Sequence, residues 1–290
     1  MTVTTDLGAD RVIRTALAED LADGPDVTTE ATVPADASAV AALVPREPGV
    51  LAGVDVAAAV FRRVVGDSLL VRQVLADGTA LVPGEPALVM QGPTRGLLTA
   101  ERTALNLLTH LSGIATVTRS WVDAVSGTGA RIRDTRKTLP GLRALEKYAV
   151  TCGAGVNHRM SLGDAALIKD NHVLAAGSVT AAIKGVRALR PDITMEVEVD
   201  TLDQLDEALA AGANLVLLDN FSLPDTAEAV RRTRAGYAGV ELESSGGLTL
   251  SVARAVAETG VDYLSVGALT HSAPTLDLGM DLWSAVIVRR

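Results

Sequence analysis

ITMEVEV at 193–199 is the first of four short strand-like runs in the second half of the chain; NLVLLD at 214–219, GVELES at 239–244 and DYLSVG at 262–267 follow it. Their successive starts lie 21, 25 and 23 residues apart. Amphipathic, helix-like stretches such as 202–211 and 226–234 separate them. Strands that alternate with helices at this spacing predict a parallel sheet or a (β/α) barrel.

Two earlier runs, ARIRDT at 130–135 and ALIKD at 166–170, bring the series to six strands, which predicts a barrel or part of one. Polar residues, with one glycine, recur where these strands end: Asp134, Arg136, Lys169, Glu198, Asp200, Asp219, Glu243, Ser245, Ser265 and Gly267. Ligand sites of (β/α) barrels form where strands end and loops begin. We therefore expect these residues to converge on one site.

The first hundred residues show a different pattern, with short β-like runs at 39–44, 69–74 and 87–91 between Asp, Gly and Pro turns. A helical pattern runs from about Leu98 to Val125, and we expect Ser112-Gly113 to interrupt it. The chain is thus predicted to be α/β, with a smaller N-terminal α/β sandwich domain over 1–112 and a barrel-like catalytic domain over 113–290. Roughly the last 20 residues are expected to pack back on the N-terminal domain.

The composition excludes several classes of function. Hydrophobic residues make up 48% of the 290 residues, which is ample for buried cores. The formal net charge of −9 argues against nucleic-acid or anionic-membrane binding, because both need a broad positive field. Residues 131–172, however, contain eight Lys or Arg against four Asp or Glu. A basic island in an acidic protein predicts a small anionic ligand.

The single cysteine, Cys152, excludes an internal disulfide and is expected to be a small buried side chain. The four histidines lack the spacing of a transition-metal site, and Gly153-Ala154-Gly155 lacks the third glycine of a dinucleotide fingerprint. The first residues contain no apolar targeting region, and no apolar run reaches the ~18 residues of a spanning helix. We expect a cytoplasmic protein.

The basic island contains a dense series of motifs: Arg136-Lys137-Thr138, Pro140-Gly141-Leu142-Arg143, Asn157-His158-Arg159 and Ile168-Lys169-Asp170-Asn171-His172. Together with 101–106, 112–116, 243–247 and 265–270, they resemble the quinolinate phosphoribosyltransferase family in order along nearly the whole chain. The resemblance implies that quinolinate and 5-phosphoribosyl 1-pyrophosphate are converted to nicotinate mononucleotide, CO2 and pyrophosphate, in de novo NAD biosynthesis. It also implies Mg2+ as cofactor and a homodimer or higher oligomer in which Arg102 reaches into the neighbouring site.

The resemblance assigns roles to the cations. Arg136, Arg159 and Lys169, with His158, are expected to bind the two carboxylates of quinolinate. Planar Arg groups grip carboxylates bidentately, and such charge-assisted bonds are stronger than neutral ones. Lys137 is expected on the pyrophosphate or phosphate side of the second substrate.

Glycine loops and carboxylates complete the expected site. Ser245-Gly246-Gly247 and Ser265-Val266-Gly267 each follow a strand and precede a helix, where backbone N–H groups hold phosphate. Glu198 and Asp219 would stabilise the oxocarbenium-like state of ribosyl transfer and bind Mg2+ or its waters, with Asp200 and Glu243 as further candidates. The expected catalytic residues are Lys137, Lys169, Glu198 and Asp219, and Thr135 joins the substrate-binding set.

Three positions depart from the family pattern. Thr151 stands where a basic residue is expected, which would weaken anion steering. Ala154 and Ser161 stand where glycine is usual, which would restrict the backbone of their loops. We interpret His172 and His271 as structural.

Three alternative functions stay open at this point. The nearest is a related phosphoribosyltransferase that accepts nicotinate or another acid, or that works near metal uptake. The second is a Schiff-base aldolase with Lys169 as nucleophile, and the third is a catalytically silent phosphate-binding module. The density of Arg and Lys favours quinolinate, and the presence of Glu198 and Asp219 argues against a silent module.

Overall fold

The computed structural model describes residues 7–286. Its strands are β1 (Ser38–Pro45), β2 (Gly49–Val50), β3 (Leu70–Val74), β4 (Ala80–Leu81), β5 (Leu88–Pro93), β6 (Arg131–Arg133), β7 (Ala166–Ile168), β8 (Met195–Val199), β9 (Leu215–Asp219), β10 (Glu241–Ser245), β11 (Tyr263–Ser265) and β12 (Leu278–Val286). Its helices are α1 (Ala9–Asp20), α2 (Val27–Thr32), α3 (Val54–Val65), α4 (Thr94–Ala124), α5 (Arg143–Cys152), α6 (Asp170–Ala176), α7 (Val179–Leu189), α8 (Leu202–Ala210), α9 (Leu223–Gly236), α10 (Leu250–Ala257) and α11 (Ala268–His271).

The chain forms two compact units that interleave along the sequence. Within the described residues, the first unit comprises 7–119, 138–154 and 270–286, and the second comprises 120–137 and 155–269. The division into domains 1–112 and 113–290 stays a prediction.

The first unit contains a four-stranded antiparallel sheet in the order β12-β1-β5-β3 and a small pair of β2 and β4. The central strand β1 is flanked on both sides and is buried along most of its length. Its sequence SAVAALVP is apolar and partly β-branched, as expected for a strand whose side chains are buried on both faces of the sheet. The last described strand, β12, therefore belongs to the same sheet as the first.

Helix α4 corrects one sequence expectation. It runs unbroken from Thr94 to Ala124, so Ser112-Gly113 does not interrupt it. Gly113 instead permits a close approach, since a Cβ there would lie 2.0 Å from the carbonyl oxygen of Pro274. The Ser112 hydroxyl accepts the backbone N–H of Ala52 at 3.1 Å. Ser and Gly often mark the end of a helix, which is why the sequence suggested a break here. Their packing role depends on distant chain segments, which the local pattern does not show.

The second unit confirms the six predicted strands, which form a parallel sheet in the order β6-β11-β10-β9-β8-β7. β6 also forms an isolated parallel bridge through Arg133 and Val156, but among the described residues no strand joins β6 to β7, so the barrel-like sheet is not closed. Helices α7 to α10 alternate with the strands and bury apolar residues such as Ile183, Leu205 and Ala229. This is the expected incomplete (β/α) barrel.

The two faces of this sheet differ in polarity. One face presents buried apolar residues such as Ile132, Val197 and Leu242. Side chains alternate along each strand, so residues on either side of them point to the opposite face, where charged groups such as Glu196 and Glu243 occur. Register then places strand ends side by side, with Ser245 beside both Asp219 and Ser265. The sheet thus positions a polar site over its charged face.

Candidate active site

A cavity of about 580 Å³ opens at the carboxyl ends of the parallel strands, within the second unit. It is lined by Thr135, Arg136, Lys137, His158, Arg159, Leu167, Lys169, Glu198, Leu217, Asp219, Asn220, Ser245, Gly246, Gly247 and Ser265. Six of the ten residues predicted to converge therefore line one cavity, whereas Asp134, Asp200, Glu243 and Gly267 are not among the lining residues. The cavity also contains Leu167, Leu217 and Asn220, which sequence reasoning did not include.

One side of the cavity holds two guanidinium groups. Burial, and then the positive charge of Arg136, lowers the pKa of Arg159. The Nε atoms of Arg136 and Arg159 are buried and have no hydrogen-bond partner among the described residues. Arg159 is held in place by a bond of 2.9 Å from its Nη1 to the carbonyl of Ala165. Two adjacent cations in one cavity lining favour an anionic ligand.

His158 supports this cationic side. Its Nδ1 accepts the backbone N–H of Arg159 at 2.7 Å, and its Nε2 lies 2.7 Å from Oε2 of Glu196. Because Nδ1 accepts, the ring proton belongs on Nε2, where it is donated to Glu196. The backbone N–H of His158 is in turn accepted by the buried carboxylate of Asp134 at 2.8 Å. Both ring nitrogens are engaged with protein groups, so direct contact with a ligand carboxylate would require exchanging one of these bonds.

Lys169 and Glu198 form an ion pair at the cavity wall. The Lys169 ammonium donates to Oε2 of Glu198, which is largely buried, whereas the Lys169 side chain is half exposed. The backbone N–H of Lys169 donates to Nδ1 of His172 at 2.9 Å, at the start of helix α6. His172 thus holds the chain at this point, which is a structural role. An anionic ligand entering the cavity would meet an ammonium that already has one carboxylate partner.

Asp219 and the glycine loop also line the cavity. Gly246 and Gly247 both have positive φ, 91° and 58°, which an L side chain rarely adopts. The loop leads through Thr249, the N-cap residue, into helix α10. Successive backbone N–H groups beside a helix N-terminus favour phosphate.

The second predicted loop contributes less to the cavity. Only Ser265 lines it, while Val266 is buried and its N–H donates to the carbonyl of Arg133 at 2.9 Å. Gly267 is not among the lining residues, and the helix that follows has only four residues. The Ser265 hydroxyl donates to Glu243, which turns it towards the sheet. A phosphate role for Val266 and Gly267 stays a prediction.

Beneath the cavity lies a buried charge network that sequence reasoning missed. Arg133 donates to Oε2 of Glu243 and lies 3.7 Å from Oε1 of Glu196. Its guanidinium also stacks over the ring of Tyr263, 4.8 Å from the centroid. Burial, and then the charge of Glu196, raises the pKa of Glu243 to about 7. Burial also raises the pKa of Glu196.

Glu243 is therefore a buried structural carboxyl and is not among the cavity-lining residues. His158, Glu196 and Glu243 offer ligand atoms within 4.8 Å of one another, which is close enough for a metal. Arg133 already supplies a cation to both carboxylates, so the arrangement is that of a salt-bridge network. Glu198 and Asp219, which line the cavity itself, fit the oxygen-donor preference of Mg2+.

Other predicted residues lie outside the cavity or at its edge. Arg102 is exposed on α4 in the first unit and is not among the lining residues. Thr135 lines the cavity, and its hydroxyl accepts the backbone N–H of Lys137 at 3.0 Å. Cys152 is partly buried, and burial raises its pKa to about 11, which agrees with an unreactive side chain.

This fold and site define a class: two-unit α/β proteins with an open (β/α) barrel and an anion-binding cavity at its strand ends. The family models for the N-terminal and C-terminal domains of quinolinate phosphoribosyl transferase match residues 26–112 and 114–281. The chain belongs to the quinolinate phosphoribosyltransferase family.

Individual relatives agree with this assignment. The nicotinate-nucleotide pyrophosphorylase (carboxylating) of Mycobacterium leprae is 60% identical and aligns over 93% of this chain and 95% of its own length. A probable nicotinate-nucleotide pyrophosphorylase (carboxylating) from Bacillus subtilis is 43% identical over 91% of this chain and 90% of its own length. The solved structure of nicotinate-nucleotide pyrophosphorylase from Francisella tularensis superposes with a TM-score of 0.90 at 39% identity, covering 96% of each chain.

Proposed function

We propose that this chain transfers the phosphoribosyl group of 5-phosphoribosyl 1-pyrophosphate to the ring nitrogen of quinolinate. Pyrophosphate and CO2 are released, and nicotinate mononucleotide is formed for NAD biosynthesis. The observation that carries the proposal is that one cavity is lined both by the cations Arg136, Lys137, Arg159 and Lys169 and by carboxylates and a glycine loop. That combination matches a dicarboxylate and a ribose phosphate bound next to each other.

The cationic side is suited to quinolinate. The acid has two adjacent carboxylates on a flat ring, and Arg136, Arg159 and Lys169 line one part of the cavity. Both arginines line the cavity, so their guanidinium groups are placed to meet a carboxylate bound there. Carboxylates that satisfy these donors also relieve the repulsion between the two cations. Lys137, at the same cavity, would meet phosphate or pyrophosphate as a compact point charge.

The carboxylates of the cavity are suited to ribosyl transfer. When pyrophosphate leaves the anomeric carbon, positive charge develops on the ribose, and carboxylates near it stabilise that charge. Glu198 and Asp219 line the cavity and would provide this field. The same two carboxylates would hold Mg2+ or its waters, and the ion would neutralise charge on the departing pyrophosphate.

Decarboxylation follows from the first step. The new bond to the ring nitrogen makes the ring cationic and therefore electron-accepting. The bond to the neighbouring carboxylate then breaks, CO2 leaves, and the electron pair stays on the ring carbon until a proton arrives. The protein's task in this step is to hold the ring in place, which the cationic side of the cavity would do.

We also propose that the enzyme works in the cytoplasm as a homodimer or higher oligomer, with Arg102 contributed to the neighbouring subunit's site. Arg102 is exposed on α4, as such a role requires. No helix among the described residues is long and apolar enough to cross a membrane.

The test is turnover and its selectivity. Purified protein with quinolinate, 5-phosphoribosyl 1-pyrophosphate and Mg2+ should form nicotinate mononucleotide and CO2, and excess EDTA should abolish turnover. Nicotinate lacks one carboxylate and would leave a cation unpaired, which costs roughly 3–5 kcal/mol when buried and less at an open cavity. We expect a specificity constant at least about 10² lower for nicotinate. A ratio near one would favour the nicotinate-type alternative.

The aldolase alternative is less well supported. A Schiff-base lysine must attack with a free amine, whereas the side-chain nitrogen of Lys169 is already paired with the carboxylate of Glu198. Borohydride trapping with carbonyl substrates should therefore leave Lys169 unmodified.

A further inference from the structure

Asn220 occupies an unusual backbone position at the cavity. It follows directly on Asp219, the last residue of β9, and lines the cavity. Its φ is 55°, in the left-handed region that glycine favours and asparagine tolerates better than most residues. The only other described non-glycine residue with positive φ is Ala154. A residue held this way at a site is a candidate for a functional role.

The orientation of the Asn220 side chain follows from chemistry. Its amide nitrogen Nδ2 lies 2.7 Å from Oδ2 of Asp219. A carboxylate only accepts hydrogen bonds, so the NH2 group must face Asp219 and the amide oxygen must face away from it. The bond is charge-assisted and fixes one oxygen of Asp219, which leaves the other oxygen of that carboxylate for a ligand.

The other side of Asn220 contacts the glycine loop. Its backbone N–H donates to the carbonyl of Ser245 at 2.9 Å. A Cβ built on Gly246 would lie 2.2 Å from the amide oxygen of Asn220 and 2.9 Å from its backbone nitrogen. The carboxamide of Asn220 is therefore packed directly against the Cα of Gly246. Only glycine fits there, because of this contact as well as its φ of 91°.

From this geometry we infer that Asn220 is a positioning residue that couples the carboxylate of Asp219 to the phosphate loop Ser245-Gly246-Gly247. One side chain fixes the group assigned to the ribose or Mg2+ and the loop assigned to phosphate. It therefore sets the distance between the two ends of the ribose phosphate. The inference rests on the proposed function for the identity of the substrate, and it adds a residue to which no role in that reaction was assigned.

Two variants separate this role from a structural one. Asn220→Gly keeps the left-handed backbone without strain and keeps the N–H to Ser245, but it removes the carboxamide. Asn220→Asp keeps the shape but sets a second carboxylate against Asp219. Loss of one hydrogen bond to a charged group predicts a roughly ten- to hundredfold fall in kcat/KM for 5-phosphoribosyl 1-pyrophosphate. The Kd of quinolinate, measured by calorimetry without the second substrate, should stay within about twofold, because Asn220 contacts Asp219 and the glycine loop rather than the cations assigned to quinolinate.

The split between the two substrates gives a readout that a structural role would not move, because a general loss of structure would weaken quinolinate binding and lower kcat/KM for 5-phosphoribosyl 1-pyrophosphate together. Asn214→Gly, just before the other end of β9, is the matched control and should leave kcat/KM unchanged.

Each outcome of these measurements either supports or overturns the positioning role of Asn220. Variants within about threefold of the wild type, or an equal loss of quinolinate affinity, would overturn the inference. Failure of both Asn220 variants to fold, seen in thermal melts, would also overturn it, since Asn220 would then serve the fold alone. If the wild type shows no turnover, the proposed function fails instead. Calorimetry with 5-phosphoribosyl 1-pyrophosphate and Mg2+ then decides, because the same fall in affinity in both variants would still support the coupling.

Discussion

Replacing Glu243 with Gln should change how the stability of the protein depends on pH. The Glu243 side chain is fully buried, and burial, followed by the charge of Glu196, raises its pKa from 4.5 to about 7. A carboxyl with a higher pKa in the folded state binds more protons when folded than when unfolded. The folded state therefore loses stability as the pH rises from about 4.5 to about 7. Gln stays neutral and should not show this loss.

The expected size follows from the two pKa values. A rise from 4.5 to about 7 corresponds to roughly 3 kcal/mol, because one pKa unit is about 1.4 kcal/mol. The free energy of unfolding of the wild type, minus that of Glu243→Gln, should thus fall by about 3 kcal/mol between about pH 4.5 and pH 8. The variant keeps Glu196 as a partner for Arg133, at 3.7 Å, so the buried cation is not left without a carboxylate.

The assay is urea unfolding of both proteins across this pH range, with equal m-values as the condition for comparison. Subtracting the two curves removes the contribution of titrating groups that do not interact with Glu243. Glu241→Gln is the matched control, since Glu241 lies two residues earlier on β10 and its side chain is 46% exposed. If the wild-type and Glu243→Gln curves run parallel, the reasoning about the buried network is wrong.

Three further predictions follow from the structure. Ala154→Gly should raise the free energy of unfolding by about 1 kcal/mol, because Ala154 has a φ of 67°. Ala227→Gly, at an exposed position inside α9, should lower the free energy of unfolding by about as much. If thermal melts show that both variants change stability in the same direction, this prediction is wrong. Glu198→Gln should lower kcat more than quinolinate affinity, since the charge it would face develops in the transition state; lost affinity in calorimetry with kcat intact would count against the assignment. Mixing inactive Arg102→Ala with inactive Lys137→Ala subunits should restore partial activity, and no rescue despite demonstrated subunit exchange would contradict a shared site.

The sequence features that predicted the fold and the site correctly were local and periodic. Six strand-like runs at βα spacing predicted the parallel sheet, and polar residues at their ends predicted where a ligand would bind. The position of the ligand site follows from strand direction, because the carboxyl ends of parallel strands lie at the same edge of the sheet. The alternation in RIR and MEVEV was a further signal, since apolar residues at every second position imply that the charged ones share the other face. This alternation would have identified Arg133 and Glu196.

The tertiary structure alone decided how these groups are paired. The sequence does not show that Arg133 and Glu243, 110 residues apart, share a salt bridge, or that His158 uses both ring nitrogens within the protein. It gives no sign that Asn220 adopts a left-handed backbone against Gly246. Propensity and periodicity report on neighbours within a few residues, whereas these contacts arise when separate strands are brought into register. Hydrogen-bond geometry and burial, which set the pKa of Glu243 and the orientation of Asn220, exist only after that register is formed.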